Sequence, residues 1–342
     1  MAFYHWQNYR CAFEKISDEK APRTGSAPSR SPALLLIHPI GVGLSRQFWQ
    51  PFIQQWMTAH ELRGNINSNI YSVDLLGCGD SDMPKRAYYP EDWAKQLAYF
   101  IEHIVQEPVI LVVQGALLPV AIALMGLPAN AENNAEKEGK KSINSAININ
   151  SAINIKGLIL SGPPAWQLMS TPTQAWKQKL SWTLFESPLG NLFYRYARRA
   201  DFLRSFSQRQ LFAKPVDVTD NWLTMLNAGA QNMDSRYAVF SFLAGFWRQD
   251  YAQAIARIQQ PVLIVMGDRA STIDRTTAKQ IASQADNMTR EDRQQASRKR
   301  LQDYLDRFPR AQGVGIEGRN VLPYESTADF IRAIAPFITD LS

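Results

Sequence analysis

Residues 108–124 read Pro-Val-Ile-Leu-Val-Val-Gln-Gly-Ala-Leu-Leu-Pro-Val-Ala-Ile-Ala-Leu, and this stretch constrains the fold more tightly than any other. No charge falls between positions 109 and 127, so the run is long enough to span a bilayer. Its internal organisation points elsewhere. The first half is β-branched, the second is rich in Ala and Leu, and Gln114, Gly115 and Pro119 punctuate the run. A buried strand that turns sharply into a buried helix needs that order. A strand apolar on both faces must be covered by helices on both sides, which is the condition of a parallel α/β sheet.

The remaining sequence repeats the alternation. Strands are expected within 3–16 and at 33–37, 70–73, 109–113, 157–161 and 262–266, with helical segments between the later ones. Ala33-Leu-Leu-Leu-Ile37 runs into the Gly-containing loop His38-Pro-Ile-Gly-Val-Gly43, at the strand end where open α/β sheets keep their sites. The strand at 70–73 leads into Asp74-Leu-Leu-Gly-Cys-Gly-Asp-Ser-Asp82, a turn whose acids suit bonds to backbone amides. The fold class is therefore α/β, a doubly wound, mostly parallel sheet. Its core comprises residues 1–162 and 261–342, and a helical cap, dense in Trp, Phe and Tyr, covers 163–260. A cap over the carboxyl edge implies an apolar cavity beneath it. Residues 129–156 hold the hexapeptide Asn-Ser-Ala-Ile-Asn-Ile twice in tandem, too few copies for a solenoid, and read as a low-complexity insertion in a surface loop. Residues 283–307 read as a solvated helix with Leu301, Tyr304 and Leu305 turned inward.

With 342 residues and 45 % apolar composition the chain can bury a large core. The net charge of +6 arises from basic and acidic residues mixed along the sequence, which argues against a nucleic-acid footprint. Cys11 and Cys78 are too few for a disulfide framework and lack the spacing of a zinc or redox motif. Cys78 has no basic neighbour in sequence to activate it. No metal site or cofactor motif is present. The N-terminus lacks the basic and apolar regions of a secretory signal, and a cytoplasmic, reducing location is expected.

Taken together, the motifs resemble the α/β-hydrolase superfamily over nearly the whole chain. His38-Pro-Ile-Gly41 is similar to the His-Gly loop that supplies an oxyanion-hole amide. Asp74 to Asp82 resembles the Asp-x-x-Gly-x-Gly-x-Ser-Asp turn, and Tyr89-Pro-Glu-Asp-Trp-Ala94 the start of the helix after it. Pro261-Val-Leu-Ile-Val-Met-Gly-Asp268 is similar to the acid-bearing strand, and Ile316 to Glu325 to the loop that delivers the base. Residues 113–117 stand where a Gly-x-Ser-x-Gly nucleophile elbow belongs, with Val113 and Leu117 at its small flanking positions. Carried over by position, the nucleophile falls on Gly115, the acid on Ala270 and the base on Val321, all three inert. Asp268 stands two residues before the acid position. The histidines are His5, His38, His60 and His103, so none follows the last strand, where a triad in the order Ser, acid, His needs its base.

The resemblance thus implies a frame without the usual triad. The leading expectation is a non-catalytic protein that binds a small apolar molecule or a protein partner under the cap, with His38, Ile40, Gln114 and Ala116 as candidate contacts. The amides near Ile40 and Ala116 would form an anion-binding nest. The second is an enzyme of the same fold with non-standard residues, using His38 with Asp268 or Glu325. The third is a structural assembly factor that exposes Trp49, Trp166 or Trp247 on a patch, for which a filled cavity would speak.

Overall fold

The computed structural model describes residues 1–17, 31–64, 66–127, 153–270 and 290–342. Among the described residues eight strands form one sheet: β1 (Ala2–Trp6), β2 (Tyr9–Ile16), β3 (Ala33–Ile37), β4 (Ile70–Val73), β5 (Val109–Gln114), β6 (Ile155–Ser161), β7 (Val262–Gly267) and β8 (Ala311–Ile316). Their spatial order is β1-β2-β4-β3-β5-β6-β7-β8. β1 pairs antiparallel with β2, and β2 antiparallel with β4, while every pair from β4 to β8 is parallel. The central strands β3, β5 and β7 are buried at every position, which explains why they read as continuous apolar runs.

The principal helices are α1 (Gln50–Thr58), α2 (Pro90–Phe100), α3 (Leu118–Met125), α4 (Ala175–Glu186), α5 (Pro188–Ala197), α6 (Asp220–Gly229), α7 (Arg236–Leu243), α8 (Arg290–Leu305) and α9 (Thr327–Asp340). Two large clusters form the core, one on each face of the sheet. Leu35, Leu111 and Ile264 pack with residues of α2 and α3, and Leu36, Val112 and Val265 pack with residues of α1 and α9. Alternate residues of one strand thus serve opposite faces, as the pleat requires.

Three sequence expectations are corrected here. β8 went unread because Ala-Gln-Gly-Val-Gly-Ile has two glycines and little β propensity; as the edge of the sheet it borrows its register from β7. β6 begins at Ile155, inside the second hexapeptide, so the insertion ends earlier than residue 156. The part of that insertion from 129 to 152, and residues 283–289 of the solvated helix, lie outside the described residues. From 290 that helix is present, with Tyr304 fully buried. Trp49 and Trp247 are buried in the core clusters, and Trp166 is half-buried against one of them. None forms an exposed patch.

Between β6 and β7 the chain forms the helical cap. Its seat on the carboxyl edge is tight: a Cβ on Gly43 would collide with the backbone of Leu226, and one on Gly229 with the backbone of Gly43. Gly43 also has φ of +76°, so two independent constraints require glycine there. Elsewhere the cap is tied by Tyr88 N donating to Ser241 Oγ at 2.9 Å.

Candidate functional site at the carboxyl edge

The strand-to-helix turn after β5 has the sharp geometry its sequence suggests. Gly115 has φ of +64°, and a Cβ built on it would meet no atom within 4 Å. Open space therefore lies where a side chain at this turn would project. Gly115 and Ala116 are partly exposed, whereas Gln114 is only 1 % exposed.

The loop after β8 lies across the ends of three strands. Gln114 Nε2, at the end of β5, donates to the Asn320 carbonyl at 2.5 Å. A Cβ on Gly162, just past β6, would stand 3.1 Å from that same carbonyl oxygen. Beyond β7, Asp268 Oδ1 accepts from Gly318 N at 3.1 Å, and Arg269 N donates to the Gly318 carbonyl at 3.0 Å. Gly115 and Val321 consequently stand in adjacent loops, although they are 206 positions apart in sequence. Val321 is buried in the α1/α9 cluster, and Ala270 is partly buried with its amide donating to the Gly267 carbonyl at 3.0 Å.

His38 is fully buried and bonded through both ring nitrogens. Leu75 N donates to Nε2 at 3.2 Å, which leaves Nδ1 to carry the proton and donate to the Pro39 carbonyl at 2.8 Å. Burial pushes its pKa down, and Asp74 offsets part of that. The ring thus holds the loop after β3 against the Asp74 turn as a neutral imidazole. Neither Asp268 nor Glu325 shares a bond with it. Glu325 instead accepts from Ala213 N at 2.8 Å and Arg319 N at 2.6 Å, and burial raises its pKa. Ile40 is partly exposed, and its amide donates to no described residue. The Ala116 amide stands in the first turn of a helix, where backbone N–H groups lack intrahelical partners.

The Asp74 turn is a backbone clamp. The Asp74 carboxylate accepts from Arg46 N at 2.7 Å and Asp80 N at 2.9 Å and forms a buried ion pair with the Arg46 guanidinium. Ser81 Oγ donates to the Asp74 carbonyl at 2.8 Å and accepts from Ala12 N at 2.9 Å. Cys78 lies within this turn, and burial raises its thiol pKa as it does that of Cys11, so both are poor nucleophiles.

Three participants escaped the sequence reading. Arg46 follows the loop after β3 with nothing to mark it as a partner of Asp74. Asn320 anchors the β8 loop to the cap, with its amide donating to the Leu211 carbonyl at 3.1 Å and Nδ2 to the Gln210 carbonyl at 2.7 Å. Ser161 pairs in register with Gln114, and Ser161 Oγ and Gln114 Oε1 are buried without a hydrogen-bond partner among the described residues.

A recess of about 290 Å³ lies between Ala213, Lys214 and Asp217 of the cap and Glu317, Gly318 and Glu325 beyond β8, whereas the space beside Ala116, enclosed by Tyr88, Trp93, Leu117, Phe242 and Trp247, is about 10 Å³. Such a space is about the size of one water molecule. Around Ala116 the aromatic side chains fill the space between cap and sheet.

The model of the alpha/beta hydrolase family matches residues 34–334. No curated protein matches the chain in sequence. Among solved structures, a thermophilic esterase from Thermogutta terrifontis is similar with a TM-score of 0.60 and 15 % identity, over 97 % of this chain and 94 % of that one. The enol-lactonase from Burkholderia xenovorans LB400 gives 0.62 and 12 %, over 99 % and 100 %. A serine hydrolase involved in carbazole degradation gives 0.63 and 13 %, over 99 % and 98 %. Identities this low speak for the fold alone, but the family match spans most of the chain: this protein belongs to the alpha/beta hydrolase family.

Proposed function

We propose that this chain is a non-hydrolytic member of its family, a binding protein whose carboxyl-edge cleft receives a polar or anionic group instead of attacking one. The observation that carries the reading is Gly115. It stands at the turn where the family places its nucleophile, with open space in front of it and no hydroxyl, thiol or carboxylate on either neighbour to be activated. Val321, in the adjacent loop, offers no proton acceptor, and the buried His38 spends both nitrogens on the backbone. What remains are the amides of Ile40 and Ala116, whose capacity to donate does not depend on a side chain. The small volume beside Ala116 favours a ligand held at the cleft mouth, or a protein partner, over an apolar molecule enclosed there.

A second reading keeps enzymatic activity with non-standard residues. The names of the structural neighbours, an esterase, a lactonase and a serine hydrolase, favour it, and none of them names a binding role. One experiment separates the two: purified protein is treated with a fluorophosphonate probe and an ester and lactone panel, with native mass spectrometry on the same sample. The binding reading expects no labelling, no turnover and a retained ligand or partner. Turnover abolished by substitutions at the cleft would overturn it.

A further inference from the structure

The cap carries a helical hairpin, α4 and α5, with apolar side chains on its outer side as well as its inner one. The inner faces of α4 and α5 pack on α7: Phe185 stacks on Phe240 with ring centroids 4.5 Å apart, Trp182 stands 6.2 Å from Tyr237, and Tyr194 is fully buried. On the other side are six large apolar side chains in two helical stripes. Trp176, Leu180 and Leu184 recur at i, i+4 and i+8 on α4, and Leu189, Leu192 and Tyr196 at i, i+3 and i+7 on α5. They are between 50 % and 64 % exposed, and α4 has no buried residue at all. Single exposed leucines are ordinary on a protein surface, whereas six large apolar side chains in two stripes on paired helices call for a partner.

The charges around the patch identify its partner. Residues 175–199 hold Lys177, Lys179, Arg195, Arg198 and Arg199 against Glu186 alone, a net +4 of the chain's +6. At 100° per residue, Lys177 and Lys179 fall on opposite flanks of the Trp176–Leu180 ridge. Lys177 Nζ lies 5.4 Å from the Trp176 ring, and the Arg199 guanidinium lies 5.8 Å from the Tyr196 ring. A second copy seated on this face by two-fold symmetry would set these cations against themselves. A protein interface of ordinary composition depletes lysine at its core. Leucines flanked by lysine and arginine, with Trp and Tyr among them, are what a helix lying in a membrane interface presents.

We propose that the outer face of α4 and α5 is a docking surface for an anionic bilayer. Both helices lie in the plane of the headgroups, the leucines and Trp176 enter the acyl boundary, and the flanking cations meet lipid phosphates. Binding is peripheral: among the described residues no helix is long and apolar enough to cross a membrane. Val42, in the loop after β3, packs against the cluster beneath the hairpin, so the bilayer lies over the cap on the side of the carboxyl-edge cleft. The proposal stands whether or not that cleft performs catalysis.

The test is co-sedimentation of the full chain with phosphatidylcholine vesicles, with and without phosphatidylglycerol. Wild-type protein is expected to bind the anionic vesicles at least tenfold better than the neutral ones and to be released by raised salt. Leu180→Ser with Leu192→Ser should lower binding at least tenfold, and Lys177→Gln with Lys179→Gln by about fivefold per charge. All four side chains are exposed, so thermal unfolding should stay at the wild-type temperature, which separates lost docking from lost fold. Absence of vesicle binding overturns the proposal, as does binding that neither pair of substitutions changes. A doubled mass in sedimentation velocity that Leu180→Ser with Leu192→Ser returns to that of one chain would also overturn it, in favour of a second copy on this face.

Discussion

The Gln114 side chain reaches from the end of β5 to the backbone carbonyl of Asn320, and this 2.5 Å bond joins the sharp turn at Gly115 to the loop after β8. Gln114 is buried and Asn320 half-buried, so breaking the bond leaves polar groups under-satisfied, at about 1–3 kcal/mol. Gln114→Ala should therefore lower stability by that amount in urea unfolding. A change below about 0.5 kcal/mol, the level of ordinary surface substitutions, would mean that the bond does not hold the loop.

The ion pair between Arg46 and Asp74 predicts an asymmetry. Asp74 also accepts two backbone amides, whereas the Arg46 guanidinium takes its charge compensation from Asp74 and from the exposed Asp80. Asp74→Ala leaves the buried cation with only the exposed Asp80 and strands two amides, and should cost about 3–5 kcal/mol. Arg46→Met leaves the carboxylate with its amide donors and should cost clearly less. Equal losses in equilibrium unfolding would refute the view that the backbone clamp is the main task of Asp74.

His38 and Glu325 should act on stability in opposite directions with pH. Burial lowers the folded pKa of His38, so the unfolded chain takes up a proton that the folded chain refuses. Its contribution is whole above the ordinary value of about 6.5 and is lost as pH falls below it. Burial raises the folded pKa of Glu325, so its contribution is whole below the ordinary carboxylate value and is lost as pH rises through the folded one. His38→Asn should therefore flatten the acid side of the stability profile, and Glu325→Gln should remove an opposing slope. Each slope is bounded by about 1.4 kcal/mol per pH unit. Urea midpoints between about pH 5 and 7 test both; a difference between wild type and His38→Asn that stays constant with pH refutes the first.

Most of the sheet was legible because strands buried on both faces leave unbroken apolar runs, as at Leu34 to Ile37 and Ile110 to Val113. β8 was illegible for the converse reason: an edge strand with Gly313 and Gly315 owes its conformation to hydrogen bonds with β7, and pairing leaves no mark on composition. At the candidate site, the turn at Gly115 could be read from local sequence. The bond of Gln114 to Asn320 could not, because it uses a main-chain carbonyl that any residue would supply. Trp93, Phe242 and Trp247 likewise reveal apolar volume, but only packing decides whether the space beside Ala116 is empty.

Gly115 offers the most direct test of the non-hydrolytic reading. A side chain at this position meets open space, so Gly115→Ser carries chiefly the penalty of a positive φ, about 1–2 kcal/mol. Gly43→Ser has the same kind of backbone angle but drives its Cβ into the Leu226 backbone, and should unseat the cap. A folded Gly115→Ser protein is expected to remain inactive on esters, because a serine without a base to take its proton is a weak nucleophile. Adding Val321→His supplies an imidazole in the adjacent loop, and fluorophosphonate labelling should rise above that of either single variant, at some loss of stability because Val321 is buried. Turnover by Gly115→Ser alone would mean that the cleft already holds a working base, and the chain would then be an enzyme that lacks only its nucleophile.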